Sequence, residues 1–131
     1  MNEELDRAGR SALHYAALDG DLDRVTQLIA AGSDVNLADK NAYTPLHFAA
    51  QGQRATTAQA LLSAGAEVDA RDRFGKTPLS VALFNVRDQD GEVIRVLLSA
   101  GADPDLENNR GISPRNLAET IDNYDLKKFL D

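Results

Sequence analysis

The sequence predicts an all-α solenoid in which short helix-turn-helix units stack one on another. Leu13, Leu46 and Leu79 occupy matching tetrapeptides and are spaced by 33 residues each time. Thr-Pro pairs open two of the units, and Ala-Gly pairs close three. A period of this length holds one helical hairpin that cannot bury its apolar face alone, so neighbouring units must share a core.

Four units follow one another in this register, and together they form one predicted domain over residues 1–131. The third unit is three residues longer than the first two, which we place as an insertion around Val86 to Gly91. The last unit is predicted to be a C-terminal cap whose final helix turns Leu126 and Phe129 inward. The predicted units span residues 6–38, 39–71, 72–107 and 108–131.

Each unit contains start and stop signals for two helices. Thr44 and Thr77 can accept hydrogen bonds from free amides of a first helical turn, and the prolines that follow need no such partner. Glycine after the second helix supports the left-handed conformation with which helices commonly end. The second helices carry apolar residues three and four positions apart, as one buried face requires. These residues are Val25, Leu28 and Ile29, then Leu61 and Leu62, then Ile94, Leu97 and Leu98.

The segment Thr44 to Ala50, Thr-Pro-Leu-His-Phe-Ala-Ala, resembles the signature of the ankyrin repeat family. The resemblance extends over residues 6–131. It implies L-shaped units joined by β-hairpin loops, a concave face made by the first helices and the hairpins, and a role in binding other proteins. It also implies that His14 and His47 are internal hydrogen-bonding struts rather than catalytic or metal-binding groups.

One hairpin departs from the pattern, because Ala42 stands where the other three units have glycine. If the backbone needs a positive φ at this point, alanine costs about 1 kcal/mol. We therefore expect that Ala42→Gly stabilises the fold.

The composition of the chain argues against several classes of function. The net charge of −7 is the wrong sign for a general nucleic-acid binder, and the absence of cysteine excludes disulfides and thiol chemistry. An acidic start and the lack of a long apolar run predict a cytoplasmic protein that does not bind membranes. We find no catalytic motif, so we expect no enzymatic activity, no cofactor and no metal.

Three features allow an alternative interpretation. The segment Asp88 to Glu92 superficially resembles a calcium loop but lacks the glutamate that such a loop needs, since Leu97 occupies that position. Asn36 resembles a hydroxylation acceptor of animal ankyrin proteins, although asparagine is also common at this point of the family's hairpin. Acidic residues near the turns between helices form a possible negative edge, or simply complement helix dipoles. They are Asp19, Asp21, Asp23, Asp88, Asp90 and Glu92.

The resemblance assigns a binding surface to the hairpin tips and to the residues after the Ala-Ala pairs. Arginine and aromatic residues, which are enriched among binding hot spots, concentrate there. Phe84 could instead pack between repeats. The predicted protein-binding residues are Arg7, Arg10, Leu18, Lys40, Tyr43, Gln51, Arg73, Phe74, Lys76, Phe84 and Arg110.

The sequence thus predicts a non-catalytic protein-interaction module that is a monomer when free. Acting by occupying a partner's surface, it could be an inhibitor, or an immunity protein that neutralises a toxin. The alternative is a structural scaffold or self-assembling adaptor within a larger complex.

Overall fold

The computed structural model of the chain describes residues 4–86 and 91–120. Within these ranges the backbone forms seven α-helices and no β-strand. The helices are α1 (Ala12–Asp19), α2 (Leu22–Ala30), α3 (Pro45–Gln51), α4 (Ala55–Ser63), α5 (Pro78–Asn85), α6 (Glu92–Ser99) and α7 (Pro114–Thr120).

The helices lie in two layers. Helices α1, α3, α5 and α7 pack side by side in chain order, and α2, α4 and α6 form a second row behind them. Each helix of the first row also contacts the helix that follows it in the chain, from α1 with α2 to α5 with α6. This arrangement confirms the predicted all-α solenoid.

The predicted helix starts are confirmed. Pro45 and Pro78 are the first residues of α3 and α5, and the hydroxyls of Thr44 and Thr77 accept hydrogen bonds from the amides three residues later, at 3.4 and 3.3 Å. Because the proline carries no amide hydrogen, no donor is left unpaired at that position.

The core runs through the whole stack between the two layers. The three periodic leucines, Leu13, Leu46 and Leu79, are fully buried, and alanines beside them let the first-row helices approach closely. From the second row, Val25, Leu61 and Leu97 are fully buried against them. No helix pair could bury these side chains alone, so the units depend on their neighbours for stability.

The hairpins between units are tight turns closed by backbone hydrogen bonds. In the second hairpin the Asp39 carbonyl accepts from the Ala42 amide at 2.9 Å, and the Asp39 amide donates to the Tyr43 carbonyl at 2.9 Å. Oδ1 of Asp39 also accepts from the amides of Asn41 and Tyr43, at 2.8 and 2.9 Å. The same bonds recur at Asp6, Asp72 and Asn108.

Ala42 has a φ of 62°, and the glycines at the matching position of the other hairpins have φ values of 77° to 79°. The left-handed conformation predicted at this point is therefore confirmed.

Successive hairpins are joined through the backbone. The amides of Lys40, Arg73 and Asn109 donate to carbonyls of the preceding hairpin at 2.8, 2.9 and 2.9 Å. The accepting residues are Ala8, Asn41 and Phe74. These bonds fix the spacing of the hairpin tips along the edge of the stack.

Three of the described acidic residues between helices lie at the start of a helix, whereas Asp19 is the last residue of α1. Oδ1 of Asp21 accepts from the Arg24 amide at 3.2 Å and so caps α2, while Asp23 and Glu92 lie in first helical turns. Both positions suit the positive end of a helix dipole. The remaining predictions for Asp88, Asp90 and the final helix fall outside the described residues.

Candidate functional site

A groove opens on the first-row side of the stack, between the second, third and fourth hairpins. Its volume is about 710 Å³. Helix α5 supplies Ser80, Val81 and Phe84 to the groove. The three hairpins supply Tyr43, Phe74, Lys76, Asn108, Asn109, Arg110 and Ile112. The size lies within the range of about 300–1,000 Å³ that is typical of ligand sites.

The groove collects six of the eleven predicted binding residues: Tyr43, Gln51, Phe74, Lys76, Phe84 and Arg110. The remaining five lie outside it: Arg7, Arg10, Leu18, Lys40 and Arg73. Of these, Arg7, Lys40 and Arg73 are exposed at hairpin tips, whereas Leu18 is half-buried and packs against the core.

Large apolar side chains are left exposed around the groove. Phe84 is 72% exposed and Phe74 is 52% exposed, and Ile112 reaches 41%. The exposure of Phe84 favours a surface position over packing between repeats. Exposed apolar side chains gathered in one place are typical of interaction sites.

Cationic side chains lie over these aromatic rings. The Lys76 ammonium is 5.8 Å from the ring centre of Phe74 and 5.9 Å from that of Phe84, and the Arg73 guanidinium is 5.3 Å from Phe74. Such cation–π contacts hold the charge near the groove while leaving it open to another partner.

Arg10 forms an ion pair with the next hairpin. Its Nε donates to Oδ2 of the buried Asp39 at 3.0 Å, and its guanidinium lies 5.0 Å from the ring centre of Phe48. This pair links the first hairpin to the second.

Tyr43 takes the place of Arg10 in the next unit. Its ring contacts His47 and Phe48 edge-on, at 5.6 Å between centres in both cases. Burial, and then the nearby Asp72 carboxylate, raise the pKa of the Tyr43 phenol. Tyr43 is thus a half-buried wall of the groove rather than a freely exposed contact.

The repeated geometry of hairpins and helix pairs agrees with a sequence comparison. The family model for ankyrin repeats in three copies matches residues 13–108. The chain belongs to the ankyrin repeat family. Ankyrin repeats are generally protein-protein interaction modules and are typically not catalytic. No curated protein sequence matches the chain.

Both histidines of this ankyrin chain are struts between units. Nδ1 of His14 accepts from the Ser11 amide at 3.0 Å, so Nε2 carries the hydrogen and donates to the Tyr43 carbonyl at 3.0 Å. His47 repeats the arrangement with the Thr44 amide at 3.1 Å and the Lys76 carbonyl at 2.9 Å. Burial lowers the pKa of both imidazoles, which keeps them neutral.

Asn36 also joins neighbouring ankyrin units. Its Nδ2 donates to the Gly65 carbonyl at 3.0 Å, and its Oδ1 accepts from the Glu67 amide at 2.8 Å. Both ends of the amide are therefore in use, which gives Asn36 a structural function in the hairpin.

Ser80 and Asn108 are among the groove residues that were not predicted as binding residues. Ser80 occupies the position of His14 and His47 in the third ankyrin unit, and Asn108 occupies the position of Asp39 and Asp72 in the fourth. Their departure from the repeat was visible in the sequence, but its effect depends on which side chains face them across the units.

Over residues 4–86 and 91–120 no group of three histidine or carboxylate side chains converges as a metal site would require. In the same part of the ankyrin chain no helix is long and apolar enough to cross a membrane.

Proposed function

We propose that this ankyrin repeat protein binds one partner protein through its hairpin tips and the groove beside α5, and that it acts by occupying the partner's surface. The observation that carries the proposal is the groove itself. It combines exposed Phe74, Phe84 and Ile112 with the cationic groups of Lys76 and Arg110. Aromatic and arginine side chains at the centre of such a surface commonly supply most of the binding free energy.

Occupation of a partner's surface makes the chain an inhibitor whenever that surface is needed for the partner's activity. A toxin is one such partner, in which case the chain would be its immunity protein. Cytoplasmic residence and a monomeric free state belong to this proposal, as does the absence of nucleic-acid and membrane partners.

The test compares capture of proteins from the source cells by the wild type and by a groove variant, Phe74→Ala with Phe84→Ala. Leu22→Ala is the matched control, since Leu22 is an exposed apolar residue of α2 outside the groove. We expect the groove variant to bind the captured partner at least about tenfold more weakly, the loss typical of a hot spot. Circular dichroism should stay native for both variants.

Undiminished capture by the groove variant would contradict the proposed site. Sedimentation of the free protein checks the competing role as a self-assembling scaffold. A dimer that dissociates when Phe74 and Phe84 are removed would show that the groove binds a second copy instead.

A further inference from the structure

The groove differs in charge from the rest of the molecule. The chain has a net charge of −7, yet the described groove lining contains Lys76 and Arg110 and no aspartate or glutamate. An anionic group entering the groove therefore meets two cations without a carboxylate of the lining to repel it.

Lys76 has no carboxylate partner in the fourth hairpin, because that hairpin begins with an asparagine. Arg10 pairs with Oδ2 of Asp39, the first residue of the next hairpin. Lys76 is the counterpart of Arg10 in its own unit, but the first residue of the next hairpin is the neutral Asn108. Across residues 4–86 and 91–120 Lys76 has no ion pair.

A second connection is missing at the same junction. The imidazoles of His14 and His47 each reach the following hairpin, whereas Ser80 is too short to do so. Ser80 is only 7% exposed and lines the groove, and its hydroxyl makes no hydrogen bond to the described residues. A serine hydroxyl that makes no hydrogen bond within the protein can donate one to a ligand in the groove.

We propose that the groove binds an acidic peptide segment of the partner protein, in which an aspartate or glutamate is flanked by a large apolar residue. The carboxylate meets Lys76 and Arg110 with the Ser80 hydroxyl at the groove floor, and the apolar side chain packs on Phe74 and Phe84. This inference rests on the proposed function, because it names the chemistry of the partner at that same groove.

The charge balance favours a peptide over a nucleic acid. A single-stranded nucleic acid presents one phosphate per nucleotide and would need a longer track of cations than two side chains in an otherwise acidic protein. One carboxylate needs no more than the two cations of the groove lining, and an apolar side chain beside it can pack on the exposed rings.

The first experiment selects binders from a displayed library of random linear peptides on the intact protein. We expect the selected peptides to share an aspartate or glutamate next to leucine, isoleucine or phenylalanine. When that acid is replaced by its amide in the synthetic peptide, fluorescence anisotropy should show binding weakened about tenfold or more. The acidic-segment inference would be overturned if the selected peptides were neutral or basic, or if no peptide were selected. It would also be overturned if the amide form of the peptide bound as tightly as the acid.

The second experiment gives the fourth hairpin the acid with which the earlier hairpins begin. Asn108→Asp keeps the turn, because Oδ1 still accepts from the Arg110 and Ile112 amides, and offers Lys76 the carboxylate that Asp39 offers Arg10. We expect it to weaken the acidic peptide several-fold. The matched control is Gln27→Glu, the same change from amide to carboxylate at an exposed residue of α2 outside the groove lining, which should leave affinity unchanged.

Ser80→His should also weaken the peptide, since the imidazole would fill the space beside the hydroxyl and reach towards the Ile112 carbonyl. Thermal denaturation shows whether Ser80→His folds. If it does not fold, the peptide affinity of Asn108→Asp alone tests the inference. Unchanged affinity in Asn108→Asp would overturn the inference.

The groove variant Phe74→Ala with Phe84→Ala separates the two proposals. If selected peptides are not acidic but still require these phenylalanines, only the acidic-segment inference fails. If acidic peptides bind the groove variant as well as the wild type, the proposed site fails with it. Competition by single-stranded oligodeoxythymidine that depends on Lys76 would assign the groove to nucleic acid and overturn the peptide proposal.

Discussion

At the scale of single residues, Ala42 shows a conflict between side chain and backbone. Its φ of 62° lies in the left-handed region, where the other three hairpins use glycine. The Cβ atom makes this conformation unfavourable for alanine, and no other hairpin carries that cost.

Ala42→Gly should therefore raise the free energy of unfolding by about 0.5 to 1 kcal/mol, after the greater freedom of glycine in the unfolded chain is subtracted. Urea denaturation with an unchanged m-value measures this. The matched control is Ala31→Gly, because Ala31 has an ordinary φ of −81° at the end of α2 and the change there should destabilise. A loss of stability in Ala42→Gly would contradict the strain argument.

The same scale shows what the sequence could and could not predict about the site. Arg10, Tyr43 and Lys76 occupy one position of the repeat, and the resemblance assigned all three to binding. Their actual surroundings differ because the next hairpin begins with Asp39, Asp72 or Asn108. Position within a repeat was therefore predictable, whereas exposure depended on a contact between units that only the folded structure defines.

At the scale of elements, the loops that close the units are joined by one polar residue each. Asn36 uses both its carbonyl and its amide group on the second unit, while the corresponding Asp69 only accepts, from the Asp103 amide at 3.1 Å. Burial raises the pKa of the Asp69 carboxyl, although the hydrogen bond from the Asp103 amide opposes this shift in part. An ionised carboxylate cannot donate the second hydrogen bond that asparagine makes.

We expect Asp69→Asn to raise the free energy of unfolding by about 1 kcal/mol at neutral pH, and Asn36→Asp to lower it by a similar amount. Because the pKa of Asp69 is raised in the fold, its protonation favours folding, and that contribution is lost as the pH rises through the folded-state pKa. The advantage of Asp69→Asn should accordingly grow with pH. Chemical denaturation at several pH values tests this, and a destabilised Asp69→Asn would contradict it.

Elements were the most predictable level of the structure. The Thr-Pro pairs marked the first turns of α3 and α5, and the three-and-four spacing of Val25, Leu61 and Leu97 with their neighbours identified the buried faces. These signals act within one helix, so no knowledge of the neighbouring unit was needed. The consequence of Ser80 was not predictable in this way, since it concerns the contact between α5 and the following hairpin.

At the scale of the whole molecule, the two histidine struts make the stability of the stack depend on pH. Burial lowers the pKa of His14 and His47 below the value of an unfolded chain, so the unfolded state binds protons first as the pH falls. Their contribution is fully present above the unfolded-state pKa of about 6.5 and is lost below it.

The free energy of unfolding should fall between pH 7 and pH 5.5, with a limiting slope of about 1.4 kcal/mol per pH unit for each histidine. His47→Asn provides the control, because the last unit has an asparagine, Asn116, at the corresponding position of the repeat. It should be less stable than the wild type at pH 7 and show a shallower pH dependence. A wild-type stability that does not change over this interval would contradict the role of the struts.

The backbone bonds between hairpins separate the architecture of the molecule from its recognition chemistry. Lys40, Arg73 and Asn109 dock on the preceding turn through main-chain amides, a bond that any residue except proline can make, and the side chains of Arg73 and Asn109 add one hydrogen bond each. Tip side chains can accordingly be exchanged during evolution, or replaced by an engineer, without disturbing the distance from one loop to the next. Selectivity for a new target can then be acquired by rewriting a few exposed positions on an unaltered frame.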